Sequence, residues 1–149
     1  FPSAEAKGIE VADAEIDIAR NQPDRAVKKL SEQVELSPGN HPLTMTYANA
    51  LMKNRQPHIA EEVLIEQSRI RPNDPGLWYL LAEVQGLSGH IVGLHQSRAE
   101  YFILNGNLSQ AEKQLNYALK LTGNDYLANA KITQRLRDIG VMREQMEKM

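Results

Sequence analysis

Pro23-Asp24-Arg25-Ala26-Val27-Lys28-Lys29-Leu30 and Pro57-His58-Ile59-Ala60-Glu61-Glu62-Val63-Leu64 lie 34 residues apart, and each is followed by a further proline at one spacing, Pro38 and Pro72. A period of that length holds two short antiparallel helices and two turns. One such pair cannot bury its apolar stripe without a neighbour. The spacing predicts an all-α helical repeat, an α-solenoid, whose function resides in a stacked surface and not in a catalytic pocket.

Working outward, turn chemistry delimits about eight antiparallel helices. Residues 4 to 20 place Ile9, Ala12, Ile16 and Ala19 on one helical face. Pro23 opens a second helix with the face Ala26, Val27, Leu30, Val34 and Leu36, ended by Ser37-Pro38-Gly39-Asn40. Helices follow over 42–53 and 57–70, and Arg71-Pro72-Asn73-Asp74-Pro75 makes the next turn, with Asp74 as N-cap. A fifth helix carries Trp78, Leu81 and Val84, and a sixth runs from Ile91 to Leu104. Asn107 and Gln110 form a capping box for the seventh, striped by Leu108, Ala111, Leu115, Ala118 and Leu119. The last segment is amphipathic through Leu127, Ile132, Leu136, Ile139, Met142 and Met146, with Gly140 expected to kink or end it. That helix either seals the end of the stack or docks on another domain.

The expected organisation is one domain over 1–149, with repeats at 4–38, 41–72, 75–105 and 91–122 and a terminal capping helix at 125–148. The overlap is deliberate. Ala60 and the next strong alanine, Ala111, are 51 residues apart, one and a half repeats, so the helix from Ile91 to Leu104 must serve two pairs. Either the inner face switches helices there or the stack breaks into halves.

Bulk properties exclude several functions. A chain of 149 residues can bury roughly two-thirds of its unfolded surface. Its formal net charge of -2 and the lack of a basic stripe argue against nucleic acid and anionic membrane. Zero cysteines exclude disulfides and a thiol nucleophile. No apolar run approaches the length of a membrane span. The start, Phe1-Pro2-Ser3-Ala4-Glu5, has no initiator Met and no signal-peptide pattern, so the chain is expected to be an excised piece of a longer protein.

At these residues the chain resembles the tetratricopeptide repeat family. Trp78, Leu81 and Ala82 look like the first half of its pattern. Ala26, Leu30, Pro38 and Ala60, Leu64, Pro72 look like the second, and Ala111, Leu115, Ala118 and Leu119 resemble it again, with Gly123 in the proline's place. The family's mid-helix tyrosine is replaced by Leu51 and Gln85. From Leu77-Trp78-Tyr79-Leu80-Leu81-Ala82-Glu83 through His95-Gln96-Ser97-Arg98-Ala99-Glu100-Tyr101-Phe102 to Gln114-Leu115-Asn116-Tyr117-Ala118-Leu119-Lys120-Leu121, it is also similar to the C-terminal repeat domain of bacterial periplasmic M48-class zinc metalloproteases, the β-barrel assembly-enhancing family.

That resemblance implies a C-terminal scaffold of a periplasmic protease with a chaperone-like role. Its partners would be outer-membrane assembly machinery, misassembled β-barrel clients and its own upstream protease domain. Zinc is expected in that upstream domain and no cofactor in this chain. The family's His-Glu-x-x-His helix is absent, so no catalytic residue carries over. The rival reading is a free-standing adaptor unrelated to a protease.

The residues themselves agree. His41, His58, His90 and His95 lack the spacing of three or four that places two ligands on one helical face. His90 reads as a turn or capping residue. Glu61 and Glu62, or Glu144 and Glu147, read as solvated helix faces, and Gly86, Gly89 and Gly93 follow no strand that could make a phosphate cradle. The expected partner-binding surface is the inner face of first helices, carrying Met45, Asn49, Met52, Lys53, Tyr79 and Glu83. Methionine and tyrosine suit adaptable apolar contact, and the alternative for Met45 and Met52 is gap-filling between helices. Capture of a terminal carboxylate at Asn49 is disfavoured, because Met45 stands where a lysine is needed. Trp78 is expected in the core.

Overall fold

The computed structural model describes residues 4–149, with side chains from Glu10 onward. Among the described residues there are eight helices and no strand: α1 (Ala4–Ala19), α2 (Pro23–Leu36), α3 (His41–Lys53), α4 (Pro57–Ile70), α5 (Pro75–Leu87), α6 (Ile91–Leu104), α7 (Leu108–Leu121) and α8 (Tyr126–Glu147).

Local chemistry sets the starts. Pro23, Pro57 and Pro75 open α2, α4 and α5, where a missing N–H costs no intrahelical bond. Asn40, Asp74, Asn107 and Asp125 cap α3, α5, α7 and α8, their side-chain oxygens accepting from the N–H of Leu43, Gly76, Gln110 and Ala128 at 3.1, 2.9, 3.2 and 3.0 Å.

The helix ends carry a second periodicity. Positive φ occurs at Asn21, Arg55, Gly89, Gly106 and Gly123. The first three are 34 residues apart and the last three 17 apart. At four of these turns the next residue's N–H reaches back across the turn to the helix: Gln22 to Asp17, Gln56 to Leu51, His90 to Gln85 and Asn107 to Phe102, at 2.8–2.9 Å. Up to α4 this left-handed turn joins only the two helices of a pair, and Ser37–Asn40 and Arg71–Asp74 make the other connections. After α5, α6 and α7 alike a left-handed residue follows, at Gly89, Gly106 and Gly123. The irregular 51-residue interval is thus a change from a two-helix period to a one-helix period.

The chain divides into two compact units, one ending at Pro72 and the other spanning Asn73–Met149, where the sequence reading had a single domain over 1–149. In the first, α1, α2, α3 and α4 pack consecutively and α1 also reaches α3. Its core gathers Ala14, Ala26, Leu30, Leu43 and Ala50, flanked by Val11, Ile18, Val27, Val34 and Tyr47. In the second, α6 lies against both α5 and α7, and α8 covers α7. A core cluster there joins Ala99, Leu108, Ala111, Leu115, Ala118, Ile132 and Ile139. The locality of the two clusters is the physical reason for the division.

Several side-chain expectations are corrected. The buried line of α1 is Val11, Ala14 and Ile18, while Ala12, Ile16 and Ala19 are exposed; Ile9 lies outside the described side chains. Both triplets have helical spacing, and only packing against α2 and α3 selects one. Leu36 is 64 % exposed because it sits on the last residue of α2, past the contact. Leu127 and Met146, at the two ends of α8, are likewise exposed. Gly140 does not end α8, since Ile139 and Met142 on either side are held by the α7 core. Trp78 is half-buried, whereas Leu77 and Leu81 on its flanks are fully inside.

Candidate functional site

Helices α5 and α6 meet unusually closely, and two glycines allow it. A Cβ on Gly93 would stand 2.7 Å from Gln85 Nε2, and one on Gly86 would stand 3.0 Å from Leu94 Cδ1. Gln85 is buried, and its Oε1 accepts a 2.6 Å hydrogen bond from Ser97 Oγ. The polar side chain in the family's tyrosine position therefore finds its partner on the next helix.

Between these two helices lies a cleft of about 440 Å³. Its α5 wall is Tyr79, Ala82, Glu83, Gly86 and Leu87, and its α6 wall is Leu94, Arg98, Tyr101 and Phe102. The rings of Tyr79 and Tyr101 lie 5.5 Å apart and those of Tyr101 and Phe102 5.6 Å, both tilted as aromatic quadrupoles favour. Tyr79 is nevertheless 60 % exposed.

Glu83 and Arg98 also line this cleft, and neither makes an ion pair among the described residues. Interhelical charges elsewhere are paired. Arg135 on α8 grips Glu100 on α6 bidentately at 2.7 and 2.8 Å, and that hydrogen bond first, with the attraction of the carboxylate, raises the Arg135 pKa. Arg143 on α8 pairs with Glu112 on α7. Lys29 bridges Asp13 and Asp17 at 2.8 and 2.7 Å, and its hydrogen bond holds the Asp13 carboxyl below its ordinary range.

The six residues expected to bind partners fall into two groups. Tyr79 and Glu83 stand together in the cleft. Met45, Asn49, Met52 and Lys53 belong to α3 in the other unit. Met45 and Asn49 are half-buried and Lys53 is exposed. Met52 is corrected: at 8 % exposure it is buried in the interior, three residues before the left-handed Arg55 in the turn into α4.

The α6 wall was missed by sequence reasoning. Leu94, Arg98 and Tyr101 recur at intervals of four and three, which is a legible face, but nothing in the sequence says that it meets Tyr79.

Among the described residues no three His, Asp or Glu side chains gather. His41 Nδ1 lies 2.8 Å from Gln67 Nε2, and His95 Nδ1 lies 2.8 Å from Gln114 Oε1. Of the structural repeat positions, Ala26, Leu30, Ala60, Leu64, Leu81, Ala111 and Leu115 are buried, and Pro38 and Pro72 are exposed in turns.

The paired helices, their left-handed turns and the small-residue packing at Ala26 and Ala60 coincide with a family match: the tetratricopeptide repeat model matches residues 17–84. Over residues 17–84 the chain is therefore similar to the tetratricopeptide repeat family. Beyond it, the likeness continues along the chain. The chain is 28 % identical over 134 residues to the beta-barrel assembly-enhancing protease of Yersinia pestis, covering 90 % of this chain and 28 % of that protein. It is 26 % identical over 133 residues to the Escherichia coli K12 protein of the same name, covering 89 % and 27 %. A relative from Vibrio cholerae is 30 % identical over 102 residues, covering 68 % and 21 %. The chain therefore spans about a quarter of the length of the curated relatives it matches. Tetratricopeptide repeats generally mediate contacts between proteins, and this repeat chain has protease-named relatives whose name places them in β-barrel assembly. No helix among the described residues is long and apolar enough to cross a membrane.

Proposed function

We propose that this chain is the C-terminal partner-recognition module of a longer periplasmic zinc metalloprotease with a chaperone-like role in outer-membrane protein assembly and quality control. In this reading hydrolysis and zinc belong to an upstream protease domain, and this chain supplies recognition. The observation that carries the reading is the open α5–α6 cleft on a helical repeat, aromatic-lined and holding an acid and a base without ion-pair partners. Similarity along nine-tenths of the chain to a beta-barrel assembly-enhancing protease supports a protease parent. Exposed tyrosine over an apolar floor suits a protein segment, since a flat ring offers large contact at low entropic cost. Met45, Asn49 and Lys53 on α3 are a second contact surface.

The test is photo-crosslinking from Leu87 in the full-length protein, with Ile65 on α4 as the control position. Assembly-machinery components or β-barrel clients captured from 87 and not from 65 support the reading. Equal capture from both, or none, overturns it. The genomic frame upstream should also encode a signal peptide and a His-Glu-x-x-His helix; a frame without them favours a free-standing adaptor.

A further inference from the structure

We propose that the α5–α6 cleft takes one apolar side chain, aromatic or large aliphatic, from an extended internal segment of an unfolded polypeptide, with Arg98 and Glu83 holding that segment's backbone. The inference rests on the reading of this cleft as the partner site and names what enters it.

The argument is one of charge and hydrogen-bond complementarity. The cleft presents one guanidinium, a pure donor, and one carboxylate, a pure acceptor, with no ion pair to quench either. The same cleft is lined by Ala82, Gly86 and Leu94 and by the tilted pair Tyr79 and Tyr101. A peptide's terminal carboxylate would meet Arg98 but face Glu83. A lysine side chain would meet Glu83 but face Arg98. A helix would bring a backbone whose donors and acceptors are already used internally and leave both ions unmet. An extended peptide unit supplies one C=O for Arg98 and one N–H for Glu83 and carries no net charge. Its side chains alternate in direction, so one enters the cleft while its neighbours point away. The exposed Gly86 adds no side chain to the floor, and the volume of about 440 Å³ accommodates a large side chain with part of its backbone.

The experiment titrates the whole chain with dye-labelled Gly/Ser/Thr octapeptides, acetylated and amidated at their ends, carrying Phe, Leu or Ala at the centre. The Phe and Leu peptides should bind on the order of tenfold more tightly than the Ala peptide, the scale set by filling an apolar pocket. Freeing the C-terminus should change affinity by less than about twofold, and so should raising NaCl from 50 to 300 mM, because no net charge is neutralised. Tyr79→Ala, an exposed site whose loss leaves the helical circular dichroism unchanged, should weaken the Phe peptide roughly fivefold or more. Binding that needs a free carboxylate or a lysine, or that collapses with salt, overturns the proposal; so does a failure of the blocked Phe and Leu peptides to bind. If those peptides fail while Leu87 crosslinks persist, the occupant is wrong and the recognition role stands. If the crosslinks also fail, the recognition role falls with it.

Discussion

Ser97 Oγ donates to Gln85 Oε1 at 2.6 Å across the closest approach of α5 and α6, and Gly93 leaves the room in which the Gln85 amide lies. The three residues form one packing unit: the amide takes the space that a side chain at 93 would occupy, and its position is fixed by Ser97. The cleft opens directly beside them.

This geometry predicts non-additive stability. Ser97→Ala strands a buried acceptor and should cost about 1–3 kcal/mol. Gly93→Ala alone should destabilise, because its Cβ displaces the Gln85 amide. In a Gln85→Ala background the same Gly93→Ala change should become stabilising by up to about 1 kcal/mol, the helix-propensity gain over glycine. Urea denaturation of the four variants checks this; equal effects of Gly93→Ala in both backgrounds would sink it.

Arg55 holds φ 63 at a position equivalent by period to Gly89, and its side chain is exposed. Left-handed backbone costs a side-chain-bearing residue about 1–2 kcal/mol. Arg55→Gly should therefore raise the melting temperature, with a net gain of roughly 0.5–1 kcal/mol after the added unfolded-state entropy of glycine. Gly106→Ala should do the reverse. A lower melting temperature for Arg55→Gly would mean that its side chain contributes more than the turn strain costs.

Met45 and Met52 occupy the same helix and should respond differently. Met45→Glu places a charge at a half-buried site and Tyr79→Glu at an exposed one; both should weaken partner capture with helicity retained. Met52→Ala, in the interior, should cost about 2–5 kcal/mol, as should Leu81→Ala. Trp78→Ala should fall short of the roughly 3–5 kcal/mol expected for a buried aromatic, because Trp78 is only half inside. Thermal unfolding followed by circular dichroism ranks them.

Acid should loosen two ion pairs. The Asp13 carboxyl is held below its ordinary 3.8 by its hydrogen bond from Lys29, and Asp138 below 3.8 by hydrogen bonds from Gln134 and Arg135. A lowered folded-state pKa gives stability that is present above pH 3.8 and lost as pH falls through the folded value. The melting temperature should accordingly decline below about pH 4. Asp13→Asn should show a shallower decline than the parent between pH 5 and 2.5; identical slopes would remove Asp13 as a contributor.

Much of this architecture is legible in the residue order because its signals are local. Prolines at 23, 57 and 75 and the capping side chains of Asn40, Asp74, Asn107 and Asp125 act within a turn of where they stand, so the helix starts follow from chemistry alone. The 34-residue recurrence of Ala26/Leu30 and Ala60/Leu64 is local in the same sense, since each alanine marks a close helix contact within its own pair. Tertiary packing decided what periodicity leaves degenerate. The sequence of α1 offers two helical stripes, and only contact with α2 and α3 turns Val11, Ala14 and Ile18 toward the core in preference to Ala12, Ile16 and Ala19. Met45 and Met52, one heptad apart on one face, separate into half-buried and buried, a difference that helical spacing cannot express. The cleft is the fullest case: Tyr79 on α5 and Arg98 on α6 share it only because the two helices pack together, with Gly86 and Gly93 at their contact, a relation between surfaces that no single helix encodes.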